Sequence, residues 1–292
     1  MVFGVVRREL PGLTQIPFVG PQPTAPVATP VVLVHGYLGT AAVWGPLVRR
    51  LHADGFVNTF TLGYDALSAG VPQLAVELAD HVATIMRGVQ RPGVHLVGYS
   101  LGGVVARYAV QRLELDRITR TVATIATPHR GSPLAWLGPG PAAAQLRPGS
   151  ALLRELPPLE ATQQVKWAVI HAGADLVVPP PPPREGRCLP GYGHHSILSA
   201  PGLADAVVEH LRNGEPAAVD AQDPIDPPDL GRVPLPRAHV GWSPPGGTDR
   251  LHLAIRPGRR ERFEPRVPWV PEAPASAHKP VAPPAYPAGP AT

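Results

Sequence analysis

Between residues 30 and 213, short apolar runs alternate with longer amphipathic stretches. Val31-Val32-Leu33-Val34 and Val94-His95-Leu96-Val97 are rich in β-branched residues. Pro30 and Gly36 flank the first. Both read as strands buried on two faces. Residues 57–62, 121–125 and 165–170 read as further strands. Val43 to His52 reads as a helix that stops near Gly55. Leu74, Leu78, Val82 and Ile85 recur at helical spacing, with Pro72 near the start and Gly88 past the end. Leu101, Val104, Val105, Tyr108 and Ala109 form one helical face, and residues 203–211 form a last amphipathic helix. Strands alternating with helices of this length predict parallel βαβ units. The expected class is α/β, a doubly wound and mostly parallel sheet with helices on both faces. Ligands in such sheets bind beyond the carboxyl ends of the strands.

The chemistry falls at those ends. Gly98-Tyr99-Ser100-Leu101-Gly102 joins a buried strand to an amphipathic helix. A serine on that sharp turn has its hydroxyl exposed above the sheet, and the flanking glycines remove Cβ atoms that would clash. The helix start behind Ser100 favours developing negative charge. His35-Gly36-Tyr37-Leu38-Gly39 follows the first buried strand. Acyl transfer needs preorganised N–H donors for an oxyanion, and the backbone N–H groups of Leu101 and Tyr37 are assigned that role. His35 is expected to hydrogen-bond within its loop and to transfer no proton. With a serine nucleophile in this setting, the acid and then the base follow it in the chain. Asp175 lies just past the strand ending at Ile170. Asp116, the other aspartate before His194, follows a helix at the wrong end of the sheet. The base is His194 or His195, and spacing alone does not separate them.

Four segments carry a resemblance: Val32-Leu33-Val34-His35-Gly36-Tyr37, Gly98-Tyr99-Ser100-Leu101-Gly102-Gly103, Thr127-Pro128-His129-Arg130-Gly131-Ser132, and Gly193-His194 with Ile197-Leu198. Over about residues 30–212 the chain resembles bacterial lipases and esterases of the α/β-hydrolase superfamily, in particular the triacylglycerol-lipase-like group. It is also similar to the lipase-like domain of glycosylphosphatidylinositol-inositol deacylases. The resemblance implies an acyl ester or lipid substrate and selects His194 as base. It makes His129 a wall residue beside the site, where His35, Leu38 and Tyr99 are also expected. The chain departs from secreted lipases of this kind in showing neither a signal peptide nor a disulfide. Leu146, Leu152, Leu153 and Leu156, within residues 134–164, suit either a small lid helix or plain core packing.

Composition narrows the rest. The 41 prolines among 292 residues far exceed the usual share of roughly 5 %. They are dense in residues 214–292, with Ala and Arg, and this tail is expected to be largely disordered. Trp242 and Trp269 are its candidate anchors for a partner whose identity is unknown. Residues 1–29 read as an irregular lead-in, which leaves 30–213 as one catalytic domain. The net charge of +4 comes without a basic run or a nucleic-acid module, so no nucleic-acid partner is expected. Cys188 is the only cysteine. It has no partner at zinc-ligand spacing, and no phosphate-binding glycine loop is present, so no metal or other cofactor is expected. Met1 to Val6 is apolar but Arg7, Arg8 and Glu9 interrupt it, short of a secretory signal. With no transmembrane stretch either, a cytoplasmic protein is expected. The same serine chemistry fits a thioesterase or acyltransferase. A non-catalytic binding protein acting through the tail is the reading from another class.

Overall fold

A computed structural model describes residues 12–20, 23, 26–89, 93–182 and 185–215. The expectation of a disordered tail falls almost wholly outside these residues. In chain order the elements are β1 (Leu13–Ile16), β2 (Val31–Val34), α1 (Gly45–Ala53), β3 (Thr59–Leu62), α2 (Val71–Gly88), β4 (Val94–Tyr99) and α3 (Leu101–Arg112). Then follow β5 (Thr119–Ile125), α4 (Gly140–Gln145), α5 (Ala151–Glu155), β6 (Lys166–Ala172), β7 (Arg187–Leu189) and α6 (Leu203–Arg212). The strands form one sheet in the order β1-β3-β2-β4-β5-β6-β7. All neighbours are parallel except β1 and β3.

The twofold repeat of a strand divides the apolar side chains between two cores. Val32 and Val34 of β2 and Val94 and Leu96 of β4 face one core, which α2 and α3 cover. Val31 and Leu33 of β2 and Val97 and Tyr99 of β4 face the other, against α1 and α6. This is why β2 and β4 are buried at successive positions rather than alternating. After β2 the chain turns to β3 on one side, and β4 then lies on the other. That reversal opens a crevice at the carboxyl ends of β2 and β4.

Two edge strands differ from the sequence expectation. The lead-in is not wholly irregular, because Leu13–Ile16 pairs antiparallel with β3, Leu13 opposite Leu62. Arg187–Leu189 adds to the other edge beside β6. The lid candidates also resolve: Leu146, Leu152 and Leu156 are buried in the α2–α3 core, with Leu153 packed against it. The exposed large apolar residues of that region are Leu134, Trp136 and Leu137, the last two 62 % and 83 % accessible.

The domain continues to Glu215, beyond the boundary expected at 213. The Glu215 carboxylate accepts from Thr29 Oγ1 at 2.9 Å and lies 2.6 Å from His95 Nε2. The other ring nitrogen of His95 lies 2.7 Å from Thr121 Oγ1. Burial pushes the His95 pKa below its ordinary value, against the opposing effect of Glu215, and Arg120 adds a like charge. Burial pushes Glu215 up, but His95, Thr29 and Arg120 outweigh it and hold the carboxyl below its usual range. Both folded pKa values are depressed, so the unfolded chain binds more protons as pH falls. This stabilisation is complete above about pH 6.5, where the unfolded histidine is neutral, and declines below it. A second loss begins near pH 4.3 or so, where the unfolded glutamate titrates. Glu215→Ala should cost about 1–3 kcal/mol at pH 7 by stranding a buried imidazole N–H. The gap to the parent should widen below about pH 6.5, because Glu215 opposes the fall in the His95 pKa and its loss leaves the folded ring harder to protonate, as urea melts from about pH 8 to pH 5 would show. Equal midpoints at pH 7 would exclude this anchoring role.

Candidate active site

Ser100 joins β4 to α3 with φ 52° and ψ −122°. Side chains other than glycine rarely occupy that region, and such strain persists where the surroundings enforce it. They do so here through close backbone packing. A Cβ on Gly98 would fall 2.4 Å from the Gly103 Cα, and one on Gly102 would fall 2.0 Å from the Val34 carbonyl oxygen. The Ser100 N–H donates to the Ile125 carbonyl at 2.8 Å, tying the turn to β5.

The loops after β6 and β7 bring the other two side chains to it. Ser100 Oγ lies 2.9 Å from His194 Nε2. His194 Nδ1 lies 2.8 Å from Asp175 Oδ2. The second carboxylate oxygen accepts from the N–H groups of Val177 and Val178, each at 2.8 Å. Burial pushes the Asp175 carboxyl up, yet the bonds from His194, Val178 and Val177 outweigh it and hold the pKa below the usual carboxylate range. An ionised Asp175 requires the proton on Nδ1 of a neutral His194, which leaves Nε2 to accept from Ser100. All three side chains are buried. The Tyr99 hydroxyl donates to the His194 carbonyl at 3.0 Å, and the Ala174 N–H donates to the Tyr192 carbonyl at 2.9 Å. The second bond joins the acid-bearing loop to the base-bearing loop. His195 is exposed, its ring edge-on to His194 at 5.3 Å. The geometry therefore brings His194, not His195, to Ser100.

The loop after β2 passes directly over the serine, since a Cβ on Gly36 would lie 3.1 Å from Ser100 Cβ. His35 stays within this loop, its Nδ1 2.8 Å from the Gly36 carbonyl oxygen. Its ring stacks on Tyr64 at 4.2 Å, and the Tyr64 hydroxyl donates to the His35 carbonyl. Among the described residues, no hydrogen bond uses the Tyr37 N–H. Leu101 opens α3 and is fully buried. Leu38, with φ 54°, is exposed. His129 belongs to a different cluster. Its Nε2 lies 3.0 Å from Thr124 Oγ1 and its Nδ1 3.4 Å from Arg107, with no described contact to Ser100, Asp175 or His194. Burial, helped by the charges of Arg107 and Arg130, pushes its pKa down to about 3, so it stays neutral.

Sequence reasoning missed Tyr64 and the bracing role of Ser132, whose hydroxyl donates to the Val177 carbonyl at 2.5 Å. Tyr64 does follow the carboxyl end of β3, the edge where the motifs cluster. Six of the exposed large apolar side chains also lie on this edge: Leu38, Leu67, Leu134, Trp136, Leu137 and Leu176. They occupy the loops after β2, β3, β5 and β6. Among the described residues, no group of three or more His, Cys, Asp or Glu is placed to hold a metal ion, and no helix is long and apolar enough to cross a membrane.

Comparison with known proteins agrees with this architecture. The sequence model of the palmitoyl protein thioesterase family matches residues 30–136. That stretch holds Ser100 and the loop above it but neither Asp175 nor His194. Over 108 residues the chain is 28 % identical to a pimeloyl-[acyl-carrier protein] methyl ester esterase from Aliivibrio salmonicida, across 37 % of this chain and 40 % of that protein. Over 113 residues it is 30 % identical to a triacylglycerol lipase from Pseudarthrobacter phenanthrenivorans, across 36 % and 35 %. The chain thus spans well under half the length of these curated relatives. Among solved structures, a Bacillus licheniformis lipase in its mature form superposes with a TM-score of 0.56 at 19 % identity, over 68 % of this chain and 97 % of that one. Aspergillus fumigatus lipase B gives a TM-score of 0.54 at 17 % identity, over 69 % and 57 %. Sheet order and the turn at Ser100 give this chain the α/β-hydrolase fold, and over part of its length its sequence is similar to thioesterase, esterase and lipase sequences.

Proposed function

We propose that this protein is a serine hydrolase that cleaves carboxylic esters of acyl or lipid substrates through an acyl-enzyme. The observation that carries the reading is the continuous hydrogen-bonded path from Ser100 Oγ through His194 to Asp175. His194 Nε2 takes the serine proton as Oγ attacks the ester carbonyl. The carbonyl oxygen gains negative charge against the N–H groups of Tyr37 and Leu101. Asp175 holds the imidazole in the accepting tautomer and stabilises the imidazolium. The imidazolium then protonates the departing alcohol, leaving the acyl group on Ser100. Water, deprotonated by the same nitrogen, hydrolyses that ester and restores the serine. The apolar rim supports an acyl chain rather than a polar group beside the reacting carbonyl.

The match to the palmitoyl protein thioesterase family favours a second reading, in which the leaving group is a thiol. The chain's own steps are unchanged except that a thiolate departs with less need of a proton. Hydrolysis of p-nitrophenyl esters and acyl thioesters, each from two to sixteen or so acyl carbons, separates the two. The expected result is a preference for oxygen esters that rises with chain length. A thioester preference at equal acyl length would transfer the assignment. No turnover on either series by the folded protein would favour the binding-protein reading.

A further inference from the structure

We propose that the Tyr37 side chain is a latch that fixes the oxyanion loop by holding the flap over residues 133–146. The idea rests on the serine-hydrolase reading above and adds a positioning residue to it. The Tyr37 hydroxyl donates to the Pro139 carbonyl, 102 positions away in the chain. A Cβ on Gly138 would lie 3.8 Å from the Tyr37 hydroxyl oxygen, 3.9 Å from its Cε1 and 2.9 Å from Ala143 Cβ. The phenol therefore sits against the turn that opens α4. The rest of its ring packs on the α2–α3 core.

The flap is closed at its base and braced on both sides. The Ser132 N–H donates to the Leu146 carbonyl at 2.9 Å. The Ser132 hydroxyl reaches Val177, two residues past Asp175. Gln145 Oε1 accepts from the Val71 N–H at 2.7 Å, at the start of α2. One face of the flap thus touches the acid-bearing loop, and Pro139 touches the loop over the serine. That second loop is otherwise held at His35, Gly36 and Gly39: Tyr64 on the His35 carbonyl, His35 Nδ1 on Gly36, and the Gly39 N–H on the Gly36 carbonyl at 3.0 Å. Among the described residues, the bond to Pro139 is the one hydrogen bond that holds Tyr37 itself. The residue assigned to donate to the oxyanion therefore takes its position through its own side chain, from a segment that supplies none of the reacting groups.

An oxyanion donor acts only if it is in place before charge develops. A shift of about 1 Å costs up to roughly 100-fold in rate. Tyr37→Phe keeps the ring and removes only the hydroxyl. It should lower kcat on a short p-nitrophenyl ester about tenfold with KM changed less than about twofold, because the lost interaction belongs to the transition state. The rate of Ser100 phosphonylation by a fluorophosphonate should fall by a similar factor. Inhibition by a tetrahedral-forming trifluoromethyl ketone should weaken in parallel, while a planar product acid binds as before. Pro139→Ala, which retains the carbonyl, should behave as the parent.

A Tyr37→Phe protein with parental kcat and phosphonylation rate, alongside an inert Ser100→Ala, overturns the latch and leaves the nucleophile standing. Equal losses for the tetrahedral and planar ligands also overturn it, since general loosening would produce them. Full activity in Ser100→Ala would instead remove the reading on which the latch depends.

Discussion

Ser100→Ala is expected to abolish ester turnover and covalent labelling by a fluorophosphonate while leaving the protein folded. The hydroxyl is the only group the substitution removes, and the backbone strain at φ 52° is common to both side chains. Stability should change little, because Ser100 Oγ has His194 as its described side-chain partner and His194 keeps its bond to Asp175. The rate should change greatly. Removing the nucleophile from a unit of this type costs on the order of 10⁶ in kcat, and a residual enhancement of about 10³–10⁴ over water persists from the oxyanion donors and binding. Turnover of p-nitrophenyl esters by parent and variant, with melting curves for each, provides the measurement. Stoichiometric labelling that survives in Ser100→Ala would place the nucleophile elsewhere.

His194→Ala should lose a comparable factor, on the order of 10⁶, because nucleophile and base act as one unit and their losses do not add. His195→Ala should change kcat by less than about threefold, since its exposed ring contributes no hydrogen bond to the path and surface substitutions of this kind perturb little. The contrast between adjacent histidines makes the test sharp. Both variants remove an imidazole from the same loop, so a shared loss would indicate loop disruption instead of chemistry. Asp175→Asn probes the third member. Its backbone partners, Val177 and Val178, fix one oxygen, so the amide group faces His194 Nδ1. An amide N–H there calls for a lone pair on Nδ1 and moves the imidazole proton to Nε2. His194 would then face Ser100 with a donor where an acceptor is needed. A loss of about 10⁴ in kcat is expected from such a tautomer error. If His195→Ala is the variant that dies, the roles of the two histidines exchange.

The buried strands and the nucleophile turn were legible because their causes are local. Val31–Val34 and Val94–Tyr99 are buried at every position because both faces of the sheet are covered, and apart from His95 they carry no charged or amide side chain. Gly98 and Gly102 announce a turn at which any Cβ would meet backbone. The edge strands β1 and β7 left no comparable trace. Leu13–Ile16 is at best half-buried, and two of the three residues of Arg187–Leu189 are exposed. They are strands because Leu13 meets Leu62 and Ile170 meets Arg187, pairings that no short window contains. The apolar residues between 134 and 164 show the same limit. Their spacing gave helical turns but not direction, and packing buried Leu146 and Leu152 while leaving Trp136 and Leu137 in solvent.

The sequence by itself determined the sheet class, the serine on its turn, the loop above it and the carboxylate after β6. Each depends on sterics and periodicity acting within about ten residues. Tertiary structure decided which histidine meets Ser100, what holds Asp175 ionised, and that Tyr37 and Tyr64 brace the loop over the serine. Those contacts join groups 94 positions apart for Ser100 and His194, and 102 for Tyr37 and Pro139. A hydrogen bond is selective only within about 3 Å. At such separations along the chain, packing of the whole sheet sets which groups come that close.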